Sequence, residues 1–443
     1  MLMTVEILPI GGLGEVGKNM TALGFDGKYI LVDMGIRLDS IMAFEDADIG
    51  SMGREELINI NGIPDDTIIH GRKVKAIVLT HGHLDHIGAV AKLAHAYDAP
   101  IYGTPFTMEL TKRLLWDERH FKIKNEFRTV TPGETVKVED IEIEFISATH
   151  SILHTALPLI NNGGASVLCA SDFKLDEEPL LGYKTDRERL KKLSGEGLLA
   201  AMVGTVRVDD PGPTPSEAHV KERLDEVMKE SSSSGGLVLA TTFSSHIARL
   251  KSIVDLSFEI GRTPVLVGRS LRNYCTAALN LELVDFPPEL RIHGRPNAMH
   301  NLLREVQRSK EDFVLICTGH QGEPNSVLSR IANGQFPLKI NNRDEVIFSA
   351  SVIPNPINES NRQLLETRLR AQGARIHRDV HASGHAGRAD TSEFIELVWP
   401  EHLIPCHGTP DKLRSMMEIG RGLGYPSENM HHLRNGISLR LGE

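Results

Sequence analysis

Apolar residues in this chain fall into short runs separated by polar, glycine-rich stretches. The runs "VEILPI", "KYILVDM", "VKAIVLT", "IEIEFISA" and "ASVLCASD", starting at Val5, Lys28, Val74, Ile141 and Ala165, are rich in β-branched residues and flanked by Gly, Asp or Pro. That pattern predicts strands. "NMTALGFDGKYILVDM", from Asn19, reads as a hairpin, and "IGAVAKLAHAYD", from Ile87, carries apolar residues at helical spacing. The rhythm changes near residue 204. "VDDPGPTPSEAHVKERLDEVMKE" is a Pro/Gly loop leading into a charged amphipathic helix, with Ser216 placed to cap it. "LVLATTF", "TPVLVG", "FVLICTG" and "EVIFSAS" then read as buried strands, each followed by a helical pattern. Alternation of this kind predicts a separate parallel α/β sheet over about 204 to 369. Histidine-rich strand ends return in "ARIHRDVHASGHAGRAD" and "HLIPCHGTP".

Length and composition narrow the class. A chain of 443 residues exceeds one ordinary core and implies at least two domains. With 40% hydrophobic and 24% charged residues it fits a globular protein, and no apolar run reaches membrane-helix length. The N-terminus lacks a signal-peptide pattern. Cys169, Cys275, Cys317 and Cys406 show no metal-binding spacing, which suggests reduced, buried thiols and a cytoplasmic location. The net charge of −10 argues against nonspecific coating of nucleic acid but permits a local basic groove. "RERLKKL", "GRSLRN" and "RLRAQGARIHR" could line such a path or be solvated helix faces.

The densest chemistry is "THGHLDHIGA", Thr80 to Ala89, directly after a predicted strand. Three imidazoles and a carboxylate at this spacing suit a pair of metal ions, zinc first and manganese second. His81 and His83 can turn to one ion, Asp85 and His86 to the other. His150, Asp172 and His407 lie at other predicted strand ends and could complete the two sets, with an Asp as bridge. "GGLGEVG" contains G-x-G-x-x-G, but a hairpin and not a helix follows, so the dinucleotide reading fails and these glycines shape a loop.

"HGHLDHIGA" resembles the signature of the metallo-β-lactamase fold, with Asp33, His150, Asp172 and His407 matching its other motifs. "GGLGEVGKNM", "DFKLDEEP", "TPSE", "TTFSSHIARL", "GRSLRN", "CTGHQGEPNSVLSRIA", "SGHAGRADTSEFI" and "PCHGTPDKL" extend the likeness over essentially the whole chain to the ribonuclease J family of β-CASP nucleases, in its short archaeal-type form. The resemblance implies a metallo-β-lactamase αββα sandwich (1–203 and 370–443) interrupted by an inserted β-CASP α/β domain (204–369). It implies a 5′-to-3′ exoribonuclease of RNA maturation and decay, favouring single-stranded RNA with a 5′-monophosphate, with endonuclease activity in some members. Two zinc ions per subunit and a homodimer are expected. His81, His83 and His150 would hold one ion, Asp85, His86 and His407 the other, with Asp172 between. Ser171 stands where the family usually has Gly, and after His150 the chain reads "SILH" where the family often has Ser-Ile-Pro-Asp. His154 is read as a packed or surface histidine, or a contact near the site.

Under this resemblance Asp85, Glu217 and His385 are the catalytic candidates. Asp85 would orient the attacking water, and His385 would stabilise the phosphate or donate a proton to the leaving group. Glu217 would orient a site histidine or serve as an ordinary first-turn carboxylate. Ser244, Ser245, His246 and Arg249, where a strand passes into a helix, and His381, Ala382, Ser383, Gly384 and His385 are candidates to bind the 5′ phosphate. Rival readings are an endonuclease of the polyadenylation-factor type, a DNA nuclease and a small-molecule metallo-hydrolase. His407 favours RNA over DNA, and the inserted domain disfavours small substrates.

Overall fold

The computed structural model describes residues 4–42 and 49–442. The chain forms two compact units, Met1–Glu177 with Gly182–Thr214 and Gly384–Glu443, and Glu178–Leu181 with Pro215–Ser383. The first begins with strands β1 (Val5–Gly11), β2 (Met20–Phe25), β3 (Lys28–Val32), β4 (Lys73–Leu79), β5 (Ile101–Gly103) and β6 (Phe127–Thr129). Next come β7 (Thr135–Val138), β8 (Ile141–Ser147), β9 (Ala156–Asn161), β10 (Ser166–Ala170) and β11 (Ala200–Gly204). The second contributes β12 (Val238–Thr241), β13 (Thr263–Val267), β14 (Arg291–His293), β15 (Phe313–Cys317), β16 (Glu345–Phe348) and β17 (Arg375–His377). The chain returns to the first unit with β18 (His402–Cys406) and β19 (Leu439–Leu441).

In the first unit two mixed sheets, ordered β19-β1-β2-β3-β4-β5-β6 and β18-β11-β10-β9-β8-β7, face each other. Alternate residues such as Ile7, Phe25, Ile30 and Val78 from one, and Ile143, Phe145, Val167 and Met202 from the other, fill the space between. The opposite parity of the second sheet (Leu159, Leu168, Ala201, Leu403) packs on Leu190, Phe394 and Met416, from the helices Arg187–Glu196, Arg388–Val398 and Pro410–Gly422. Both faces of the second sheet are therefore covered, and the outward parity of the first (Leu8, Ala22, Leu31, Ile77) is buried as well, as an αββα sandwich requires. The expected hairpin is β2–β3, closed by Asp26-Gly27 with both residues at positive φ. Asp-Gly is favoured there because its twist matches that of the strands. "IGAVAKLAHAYD" forms short turns, Val90–Leu93 and Ala94–Ala96, and not one continuous helix.

The second unit is a six-stranded, all-parallel sheet in the order β14-β13-β15-β12-β16-β17. The four expected strands are its interior. Its edges, β14 and β17, are both Arg-Ile-His; β14 is too polar and too short to stand out in a hydrophobicity pattern, while β17 opens the stretch "ARIHRDVH" expected to be a strand end. The packing places 204–214 with the first unit and 370–383 with the second, whereas the chain was expected to divide at 203/204 and 369/370. Thr205 Oγ1 donates to the Cys406 carbonyl (3.1 Å) and Thr214 Oγ1 to that of His385 (2.8 Å), while β17 pairs with β16. Ser216 caps the helix Glu217–Ser232, accepting from the His219 N–H (3.2 Å), as expected.

Candidate metal centre

The ends of β4, β8, β10 and β18 meet in the first unit. Their side chains form two groups that share one carboxylate: His81, His83, His150 and Asp172, and Asp85, His86, Asp172 and His407. Within each group the ligand atoms lie within 4.8 Å of one another. All seven residues expected to bind metal are thus brought together.

The rings are aimed by hydrogen bonds behind them. His86 Nδ1 donates to Asp33 (2.6 Å), His150 Nδ1 to the Gly384 carbonyl (2.6 Å), and His81 Nδ1 lies 3.0 Å from Thr80 Oγ1. Thr80 Oγ1 in turn donates to Asp33 (2.9 Å), which also accepts the Thr80 N–H (2.8 Å). With Nδ1 engaged outward, these imidazoles turn Nε2 inward, the arrangement that fixes tautomer and angle in metal sites. Asp33 and His407 adopt left-handed backbone at φ 62° and 49°. Such conformations cost energy in non-glycine residues and persist where the surroundings enforce them.

The donor set fits a cation. His81 Nε2 and His150 Nε2 lie 3.2 and 3.1 Å from His83 Nδ1, so three ring nitrogens face one another and no single proton can satisfy them. Asp172 is 2% exposed, and among the described residues its Oδ1 has no hydrogen-bond partner. Burial, with the neighbouring His86, pushes the His81 pKa well below that of a free imidazole. Burial, with His150 and His81, does the same to His83. Burial would raise the Asp172 pKa, but His407, His385 and His86 hold it well below the carboxylate range. Neutral imidazole and ionised carboxylate are the metal-binding forms. His86 goes the other way: burial opposes its charge, yet Asp85, Asp33 and Asp172 raise its pKa well above normal. A cation would answer the same excess of negative charge.

His385 lies beside the cluster, its Nδ1 3.7 Å from Asp172 Oδ1 and its ring 4.9 Å from that of His150. Burial pushes its pKa down to about 3. His154 belongs to neither group. It is packed, with its carbonyl accepting from Thr104 Oγ1 (2.6 Å) and burial lowering its pKa to about 4. Ser171 lines a cavity of about 30 Å³ with Asp33, Asn19, Cys169 and Cys406. Asn19 went unrecognised in the sequence: its Nδ2 donates to the Asp85 carbonyl (3.0 Å) and sits 3.1 Å from His86 Nε2. Its signal was its place just after the glycine loop, whose Gly12 and Gly17 pack against Asn19 and Asp85.

The remaining candidates lie in the second unit. Glu217 is buried and binds Arg249 through both carboxylate oxygens, with His246 Nε2 3.4 Å away. Burial would raise its pKa, but His246 and Arg249 drive it well below the ordinary value. Arg249, expected to meet a phosphate, is 0% exposed and spends its donors inside the protein, which corrects that expectation. His246 caps its own helix by accepting from the Arg249 N–H (3.3 Å), so that helix end already has an internal acceptor. Ser244 Oγ pairs with Ser270 Oγ (2.9 Å). Ser245, Ala382 and Ser383 are largely buried, and His381 is half-buried.

The αββα sandwich with paired His/Asp groups at its strand ends defines a metal-dependent hydrolase of the metallo-β-lactamase kind. The comparisons agree. Residues 13–228 match the metallo-beta-lactamase superfamily, 235–365 the ribonuclease J beta-CASP domain, and 373–426 the Zn-dependent metallo-hydrolase RNA specificity domain. Ribonuclease J of Methanocaldococcus jannaschii is 43% identical over 99% of this chain and 99% of its own. That of Pyrococcus abyssi is 42% identical over 95% and 93%, and that of Synechocystis sp. 32% over 99% and 66%. A solved structure, a protein of unknown function from Enterococcus faecalis, shares the fold at TM-score 0.69 and 17% identity, covering 99% of this chain and 100% of its own. The chain belongs to the ribonuclease J family and is a metal-dependent RNA hydrolase. No helix among the described residues is long and apolar enough to cross a membrane.

Proposed function

We propose that the protein is a 5′-to-3′ exoribonuclease that favours single-stranded RNA bearing a 5′-monophosphate and acts as a cytoplasmic homodimer. The observation that carries this reading is the pair of four-residue groups meeting at Asp172. His81, His83, His150 and Asp172 would hold one divalent ion, and Asp85, His86, His407 and Asp172 a second. Imidazole-rich sets with carboxylates suit zinc, with manganese the alternative. When bound, the ions supply Lewis-acid charge to a phosphodiester and make water a better nucleophile near neutral pH.

The chain's own residues do the rest. The Asp85 carboxylate, one-quarter exposed and 3.4 Å from His407 Nε2, is placed to accept a hydrogen bond from the attacking water. His385 offers an imidazole N–H to a phosphate oxygen, and its lowered pKa favours that neutral donor over an imidazolium. The 381–385 segment and Ser244–Ser245 would receive the 5′ phosphate, and Glu217 acts through the groups it holds. The four buried thiols fit a reducing compartment.

RNAs differing only at the 5′ end (monophosphate, triphosphate, hydroxyl), labelled at either terminus, test this. Mononucleotide release favouring the monophosphate is expected, with a loss of about 10³-fold or more in Asp85→Ala. Equal internal cutting of all three would establish the endonuclease instead.

A further inference from the structure

Arg249 has a consequence for the chemistry of His381. Its guanidinium is wholly enclosed in the second unit. Nε and Nη2 go to the Glu217 carboxylate, the latter at 2.7 Å. Nη1 donates to Ser349 Oγ (2.8 Å) and its carbonyl (3.1 Å), and faces the Val380 carbonyl and His381 Nδ1, both at 3.4 Å. Ser349 Oγ donates onward to the same Val380 carbonyl (2.6 Å). One side chain therefore ties the start of the helix Glu217–Ser232 and the end of β16 to the segment entering His381.

A guanidinium only donates and stays protonated in proteins. A ring nitrogen facing it must present a lone pair. His381 Nδ1 is then unprotonated, and the ring's proton lies on Nε2. His246 obeys the same rule through the backbone: its Nδ1 accepts the Arg249 N–H (3.3 Å), leaving Nε2–H toward Glu217. We propose that Arg249 is a positioning residue that fixes His381 as the Nε2–H tautomer, so that the ring meets RNA as a hydrogen-bond donor to a 5′-phosphate oxygen. The phosphate end of this proposal rests on the reading above that the 381–385 segment receives the RNA 5′ end. The tautomer end stands on the geometry alone. Arg249→Lys cannot reproduce it, because one ammonium cannot serve Glu217 and His381 in the fixed directions of a planar fork.

The test is histidine ¹⁵N NMR of the full-length protein, with His381 assigned by its disappearance in His381→Gln, together with kinetics on the three 5′ variants of one RNA. The expected wild-type spectrum has His381 protonated on Nε2 and bare on Nδ1. Arg249→Lys should mix or reverse that pattern and raise KM for the monophosphorylated RNA about tenfold or more, with a smaller change in kcat. KM for the 5′-hydroxyl RNA should stay nearly unchanged, and His381→Gln should reproduce the selective loss. A wild-type His381 protonated on Nδ1 overturns the inference and needs no folded Arg249 variant to show it. An Arg249→Lys protein with unaltered tautomer and KM overturns it as well. A wild-type enzyme indifferent to the 5′ end would instead overturn the phosphate reading, while the spectrum still decides the tautomer.

Discussion

Gly384 shows how tightly single residues are constrained around the cluster. Its carbonyl accepts from His150 Nδ1 at 2.6 Å, and a Cβ built on it would lie 2.5 Å from Ser151 Oγ and 2.7 Å from the Ser151 backbone nitrogen. Gly384→Ala should displace the carbonyl, turn His150, and reduce metal affinity or hydrolysis by about 10- to 100-fold, the usual cost of losing a partner behind a ligand. Metal titration and RNA cleavage would check it. Adding Ser151→Gly should fail to rescue, because the clash with backbone remains; full rescue would show that the side chain alone matters. Little of this was legible in the sequence. "HASGH" shows a glycine beside a histidine, but not that its carbonyl, 234 positions along the chain, orients His150.

Among elements, the Glu217–Arg249 pair does work that no single helix or strand can. It joins the first turns of Glu217–Ser232 and Ile247–Glu259 in the second unit and reaches the end of β16. Removing one member of a buried ion pair leaves the other charge uncompensated, at about 3–5 kcal/mol. Glu217→Gln should therefore lower stability by about that much at neutral pH. The pH dependence has a definite sign. The folded pKa of Glu217 is depressed, so its contribution is complete above the ordinary carboxylate value of about 4.3 and fades as pH falls through the folded value. Chemical unfolding of the two proteins should differ most near neutrality and converge on acidification; a gap that widens in acid would reject the pairing. The helix start at Ser216 was readable from its N-cap pattern, and β12, β13, β15 and β16 from their apolar runs. The edge β14 was not, because a three-residue strand with polar ends leaves no apolar run to read; what the pattern did not show for β17 is that it pairs with β16.

At the scale of the whole chain, the residues able to hold metal come from separated stretches: Asp85, His86 and Asp172 precede the inserted unit, and His407 follows it. A cation held by both stretches stabilises the folded first unit by mass action, about 2.7 kcal/mol per site when free metal is a hundredfold above Kd. Chelation should lower Tm by several degrees, and zinc or manganese should restore it. An unchanged Tm with metal fully removed would show that the groups bind no ion in the folded state. The sequence by itself determined the strand-and-helix alternation, the interruption of one architecture by another, and the seven candidate ligands that the fold gathers into one cluster, because period and residue chemistry are local properties. Only the tertiary structure decided that Asn19 and Gly384 stand behind the candidate ligands and that Arg249 faces inward. Those facts depend on which residues become neighbours and on what is removed from water, and neither is written in the spacing along a chain.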